Sequence, residues 1–431
     1  MIGGGDQDQS KDRDGPNPRS PRRLVVDRRL GPFLIGNLTS NIGTWMHNIA
    51  AAVAVFEITG SAFQVGLLVF AQFSPALILS PWAGALADRV DRRRLAVLAL
   101  LLAGTSGAVL AIWVGIVSLD GLPGVWPIFA ASMLIGLGSA FSIPALHSII
   151  PSLVSPRDLE GALALTTVTF NLGRTLGPAF AGGVLIWFGT PTAFALNGLS
   201  FWLFAGALTA IRFETVVERV SDGKGSVRDG LRFVRGDIGL IVLLGAVASL
   251  GFAQDPVNTL APVLAAEFGG REPLVGLLVA SFGLGSVTAV VFGGRLRARM
   301  GRRTAALSGL TALGVGMLIL ASAPVSWIAI VGLVISGMGF LFAITSLMAG
   351  IYARVPDEFR GRVLALWTVA FLGSRPIAGL VDGAIADLAS PRLAVLLAAT
   401  IALSAAGMVR LGWKIDPPGN DQLKRSDREI G

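Results

Sequence analysis

Long apolar runs, interrupted by short polar stretches, fill nearly the whole chain. A helix needs about 20 mainly apolar residues to cross a bilayer. Twelve segments meet that length: 33–56, 63–87, 95–117, 126–148, 159–187, 191–212, 238–263, 273–296, 304–322, 326–350, 362–387 and 391–412. The pattern predicts an all-α integral membrane protein of 12 transmembrane helices. Gly and Pro are frequent inside the runs, as membrane helices tolerate. Two polar ends, 1–29 and 414–431, read as disordered cytoplasmic tails. The polar stretch 213–237 divides the chain into an N-terminal six-helix bundle, 30–212, and a C-terminal one, 238–413. Within it, Ser226–Arg235 places Val227, Leu231 and Val234 on one helical face with Arg228, Arg232 and Arg235 elsewhere. That spacing predicts a short basic helix on the inner leaflet. At 155–158, Ser155 is placed to cap span 5, with Pro156 at its first position and Asp158 completing the pattern.

Basic residues alternate from loop to loop. Of the 35 Lys and Arg residues, 31 lie in the two tails, loops 2–3, 4–5, 8–9 and 10–11, and the central stretch. Only Arg271 and Arg392 fall in the other loops, and Arg174 and Arg375 inside spans. The positive-inside rule then puts both termini in the cytoplasm of a multi-pass cell-membrane protein. Trp113, Trp126, Trp187 and Trp327 cluster at the opposite ends of their spans, where an aromatic belt belongs.

Loop 2–3 reads Gly84-Ala-Leu-Ala-Asp88-Arg89-Val-Asp91-Arg92-Arg93-Arg94. A worn copy follows 210 positions later, with Gly294, Ala298, Arg299, Gly301, Arg302 and Arg303 in register. One basic turn used twice at half the chain length indicates a duplicated bundle.

Composition narrows the classes. Charged residues are 14% of the chain, against roughly 25% in soluble domains. There is no cysteine, which excludes disulfides, cysteine metal sites and thiol catalysis. Two histidines, His47 and His147, make no metal cluster, and no cofactor is implied. The net charge of +8 fits basic loops against anionic lipid. No soluble basic face exists for nucleic acid. No nucleotide loop or nucleophile–base pair suggests an enzyme.

A charge near the bilayer centre costs at least roughly 2.5–3.5 kcal/mol on insertion scales, so each intramembrane ion needs a reason. Asp255, beside Gln254 and followed by Pro256, is the leading proton-coupling candidate, because the proline opens the helix next to it. A structural ion pair or an exposed vestibule carboxylate is the alternative. Asp382 lies close to the outer end of span 11. Arg174 lies midway along span 5, where it pairs with a carboxylate, binds an anionic substrate or, the favoured reading, clamps helix packing. Arg375 poses the same choice in span 11. Asn37, Asn41, Thr44 and Asn48 share one face of span 1, and Thr167, Asn171 and Arg174 one face of span 5. Such amides meet either a cavity or another helix. Gln254 and Asn258 form a similar pair in span 7. Trp45 and Trp367 stack on an aromatic substrate or, more commonly, fill the core. His47 is a secondary proton-carrier candidate, and His147 is interfacial.

Twelve spans in a 6+6 repeat, with this motif after span 2, resemble the major facilitator superfamily over about residues 30–413. The resemblance implies two pseudo-symmetric six-helix bundles that rock about a central cavity, lined in part by span 1. It makes Gly84 the site where span 2 approaches span 11. It makes Asp88 the gate carboxylate at the start of span 11, backed by Arg89, Arg92 and Arg93. Asp91 replaces the usual glycine, and Ala298 the second acid, leaving Gly294, Arg299, Arg302 and Arg303 as the echo. Span 5, with Gly173, Gly177, Pro178 and Gly182, is similar to the exporter signature GxxxGPxxGG, though Ala181 stands for one glycine. Ser132 stands where the superfamily's span-4 arginine, linked with proton coupling, is expected. The stretches 141–163 and 229–244 look like the enterobactin-exporter and macrolide-efflux branch. The expectation is therefore a monomeric exporter of amphipathic small molecules that exchanges them for protons. A facilitator, symporter or lipid transporter of the same fold is the alternative, and a non-transporting receptor the remote one.

Overall fold

The computed structural model describes residues 19–211, 227–270 and 272–412. Among the described residues it is helical throughout, with no strand. The order is α1 (Pro21–Val25), α2 (Leu30–Thr59), α3 (Ala62–Arg89), α4 (Arg92–Val117), α5 (Trp126–Ile149) and α6 (Leu159–Ala210), then α7 (Val227–Arg235). The second half holds α8 (Ile238–Ala253), α9 (Pro256–Thr259), α10 (Ala261–Glu267), α11 (Glu272–Met300), α12 (Arg302–Ser322), α13 (Ser326–Arg354), α14 (Asp357–Leu388) and α15 (Pro391–Gly412). Expected spans 5 and 6 are the two arms of α6, which reverse at Gly189, whose φ of 75° suits glycine.

Local chemistry sets these boundaries. The Ser61 hydroxyl accepts the Gln64 N–H at the start of α3, Asp91 accepts from Arg93 and Arg94 for α4, and Asp237 accepts from Leu240 for α8. Helix 7 of the expected twelve breaks where sequence places Pro256, giving α8, α9 and α10.

Nine helical segments among the described residues are long and apolar enough to cross a membrane. The other three expected spans, 33–56, 159–187 and 273–296, fall on α2, the first arm of α6 and α11. These helices pack on one another where the halves meet, so protein rather than lipid receives their polar side chains.

The internal repeat is visible in three dimensions. The Arg92 guanidinium donates to the Ser148 carbonyl at 3.5 Å and that of Arg93 to the Thr209 carbonyl, near the ends of α5 and α6. In the second half Arg302 donates to the Ala349 carbonyl at 3.5 Å and Arg303 to the Arg410 carbonyl at 2.8 Å, near the ends of α13 and α15. Each copy of the basic turn thus caps two neighbouring helices at their negative ends.

Three expectations are corrected. Residues 19–29, expected to be a disordered tail, are ordered. Arg19 donates through its backbone N–H and its Nε to Asp158, at 2.8 and 2.7 Å, and through Nη1 to Asp27 at 2.7 Å. Asp27 in turn accepts from the N–H groups of Arg29 and Leu30 at the start of α2. Leu24 is buried. Second, Ser155 does not cap α6 but donates to Asp158 at 2.7 Å, and Pro156–Asp158 form a 3₁₀ turn. Third, α7 does not use the predicted apolar face alone. Val234 is buried but Leu231 is exposed, and Phe233, omitted from that face, stacks on Phe359 of α14 at 4.5 Å. A helix this short follows its tertiary partner rather than its periodicity. Residues 1–18, 213–226 and 414–431 of the tails and linker lie outside the described residues.

Candidate functional site

Where α2, α6, α9, α11 and α13 converge there is a cavity of about 240 Å³. Its walls are mostly apolar and aromatic, including Trp45, Val257, Phe282 and Phe340, with Asn258, Thr167 and Ser286 as polar points. Arg174 is the charged side chain on its described lining. Three rings surround that guanidinium. Phe340 lies 4.4 Å from it, Trp45 5.5 Å and Phe282 5.8 Å, within reach of cation–π attraction. Its hydrogen bond goes to the Gln254 side-chain oxygen. No ion pair neutralises Arg174 among the described residues, so its charge faces the cavity.

Behind this wall lies a second charged cluster. Asp255 is completely buried, with the Arg375 Nε 3.6 Å from Oδ1 and the Thr259 hydroxyl donating to Oδ2 at 2.6 Å. The Arg375 guanidinium also lies 4.4 Å from the Phe73 ring and 5.4 Å from that of Trp45. The Trp45 indole therefore meets two guanidinium groups, one from each half of the chain.

The two halves close together at the end opposite the basic loops, through small residues. A Cβ on Gly66 would collide with the Gly379 carbonyl, one on Gly383 would come within 2.6 Å of the Ala62 carbonyl, and one on Gly182 within 3.1 Å of Gly276. Asp387 of α14 holds the start of α3, accepting from the Ser61 hydroxyl and the Ala62 and Phe63 N–H groups at 2.5, 2.7 and 3.0 Å.

The expected site residues sort as follows. Arg174, Trp45, Asn258 and Pro178 line the cavity, and Gln254 supports it from behind. Of the two readings of the polar span-1 face, cavity wall or helix contact, its bonds in this conformation are helix contacts, and none of its four residues is on the described lining. Asn41 donates to Asn37, Asn37 accepts from Thr169 at 3.1 Å, Thr44 bonds the Ser40 carbonyl, and Asn48 accepts from Gln72 at 2.7 Å. The stripe meets the helices that carry Thr169 and Gln72, because an amide is satisfied as well by a neighbouring helix as by a cavity. Gly173 and Gly177 make room for that contact, lying against Asn41 and Trp45. His47 is likewise away from the cavity, buried with Nε2 3.1 Å from the Ser132 hydroxyl and its ring 5.1 Å from Phe194. Trp367 stacks on Phe371 at 5.4 Å and borders a separate crevice beside Tyr352 and Val363. The surroundings of Gly84 and the side chains of Asp88 and Asn171 lie outside the described residues. Arg89, Gly294 and Arg299 are exposed. Sequence reasoning misses Phe282 and Phe340, which nothing in the sequence separates from other apolar span residues, and gives no role to Asp382.

Known proteins are similar over most of the chain. Residues 28–429 match the profile of the transmembrane secretion effectors. The enterobactin exporter EntS of Salmonella typhimurium is 26% identical over 385 residues, covering 88% of this chain and 89% of that protein. Macrolide efflux protein A of Streptococcus pyogenes is 23% identical over 363 residues, covering 82% and 88%. Among solved structures, a bacterial homologue of the human lysosomal transporter Spinster, inward-facing and unoccupied, superposes with a TM-score of 0.70 at 15% identity, covering 92% of this chain and 98% of that one.

Proposed function

The chain belongs to the transmembrane secretion effector family, within the major facilitator superfamily of small-molecule transporters, and from that premise we propose that it exports amphipathic anions from the cytoplasm in exchange for protons. The observation that carries the cargo class is Arg174. Among the described residues it is a cation without an acidic partner, set in an aromatic wall on the cavity lining. A guanidinium recognises a carboxylate or catecholate through charge-assisted hydrogen bonds, and the surrounding rings receive an apolar body. Relatives named for enterobactin export and macrolide efflux support export as the direction and natural products as the broad cargo.

The basic end faces the cytoplasm, as the placement of 31 of 35 cationic side chains supports. The cavity alternates between the two faces as the halves rock, with Asp88 and its neighbours gating the cytoplasmic end. Asp255 and Arg375 form the charge pair through which protons act, next to the helix break at Pro256. A monomer suffices, since one chain builds the whole cavity.

The test is equilibrium binding of a matched series with one apolar aromatic body and a carboxylate, an amide or an amine at its end. The carboxylate should bind tightest and lose that preference in Arg174→Gln, by roughly 10- to 100-fold for a hydrogen bond to a charged group. Preference for the amine, or no response to the substitution, contradicts the assignment.

A further inference from the structure

Asp382 of α14 is completely buried, and no protein donor among the described residues reaches either of its carboxylate oxygens. Burying an ionised carboxylate without a partner is so costly that such a group takes up a proton instead. Its counter-charge is engaged elsewhere. Arg375, two turns back on the same helix, pairs with Asp255.

Among the described residues no other charged group pairs with Asp382. From Ala62 to Leu79, α3 has no ionisable side chain, and neither α8 nor α9 has one. Glu267 of α10 pairs with Arg392 of α15 at 3.2 Å, and Asp387 of α14 caps α3. Asp255 is what remains, and its Oδ2 lies against Gly379, three residues before Asp382 on α14. Two like charges in a dry space disfavour double ionisation. Asp255 has both an arginine and a hydroxyl, so the charge resides there and the proton on Asp382.

The position has a consequence for motion. Asp382 lies between Gly379 and Gly383, the two points where α14 is pressed onto α3. With this end closed Asp382 is buried, and a carboxylate buried without a partner is stable only when neutral. We propose that Asp382 carries a proton in this conformation and couples proton uptake to closing the end opposite the basic loops. This rests on the proton-exchange reading above and identifies the group that does the coupling. The proton comes from water at the outer face while α3 and α14 are apart, and forms an O–H bond on one Asp382 oxygen. It passes to an oxygen of the Asp255 carboxylate, which lies against Gly379 one turn back on α14, and from there to water entering the cavity that Asn258 lines when the cytoplasmic end is open. The Asp382 carboxylate left behind favours reopening.

Two measurements on the full chain in lipid test this. Infrared spectroscopy at neutral pH should show a protonated-carboxyl carbonyl band that Asp382→Asn lacks and Asp255→Asn keeps. If Asp382→Asn does not fold, Asp382→Glu keeps an acid there and should move the band. A band unaffected by either substitution overturns the proposal. In proteoliposomes loaded with an aromatic carboxylate, Asp382→Asn should lose accumulation driven by a pH gradient yet still exchange carboxylate for carboxylate. Wild-type-like accumulation in Asp382→Asn overturns the proposal and leaves proton exchange standing. A wild-type protein indifferent to the gradient overturns proton exchange, and the coupling role with it.

Discussion

Gly66 and Gly276 stand 210 positions apart in the chain and occupy equivalent places in its two halves. Each sits where a helix of its own half is pressed against one of the other, Gly66 on Gly379 and Gly276 on Gly182. The duplicated sequence thus builds the closed end as two similar contacts, and small residues permit both.

Side chains at these glycines should push the closed end apart. Because the chain has no cysteine, labels can be attached at introduced cysteines in place of Trp187 and Leu388, which are 79% and 88% exposed at that end of α6 and α14. Distance measurements by electron paramagnetic resonance should show a longer population in Gly66→Leu and Gly276→Leu. Unchanged distances would mean that other contacts hold this end shut.

The repeated basic turns should contribute alike. Removing Arg93 or Arg303 as glutamine exposes a helix C-terminal carbonyl in each half and should cost about 0.3–1 kcal/mol apiece. Thermal unfolding in detergent measures this. A loss confined to Arg93→Gln would show that the second turn has lost the capping role.

The buried pair Asp255–Arg375 should behave as a pair. Arg375→Met leaves a carboxylate buried without its counter-charge and should cost about 3–5 kcal/mol. Adding Asp255→Asn should recover much of that loss, which a double-mutant cycle reads directly. Additive losses would show that the two side chains act independently.

The N-terminal clip should open in acid. The backbone N–H of Arg19, then the Ser155 hydroxyl and the Arg19 guanidinium, hold Asp158 down to about 2 from an ordinary 3.8. The same contacts raise Arg19, the Asp158 bond first. Asp27 is also lowered. Burial alone would raise it, but the N–H groups of Leu30 and Arg29 and the Arg19 side chain outweigh that. A lowered carboxylate stabilises the folded state fully above 3.8 and loses that contribution as pH falls toward 2. Asp158→Asn should release the segment at neutral pH, read as faster tryptic cleavage at Arg22 and Arg23.

Much of this was legible in sequence. The break at Pro256, the reversal between spans 5 and 6, the doubled basic turn and the charged interior of α14 all follow from residue type and spacing. Partners did not follow. Spacing puts Asn37, Asn41, Thr44 and Asn48 on one face, but periodicity does not say whether a face meets a cavity or a helix. Arg174 was found by its charge, while its direction depends on Phe340, 166 positions away. Residues 19–29 looked like tail because their composition is polar, yet Arg19 finds Asp158 across the fold. Asp382 has no role in the sequence reading because a place near a span end does not tell whether a side chain is buried, and in the fold it is.

The most direct test of the account is flux in proteoliposomes under an imposed pH gradient, using an aromatic carboxylate as cargo. Wild-type protein should move it against its own gradient when protons flow the other way, and Arg174→Gln should abolish that movement. Flux that ignores the proton gradient, or that is equally fast in Arg174→Gln, would contradict it.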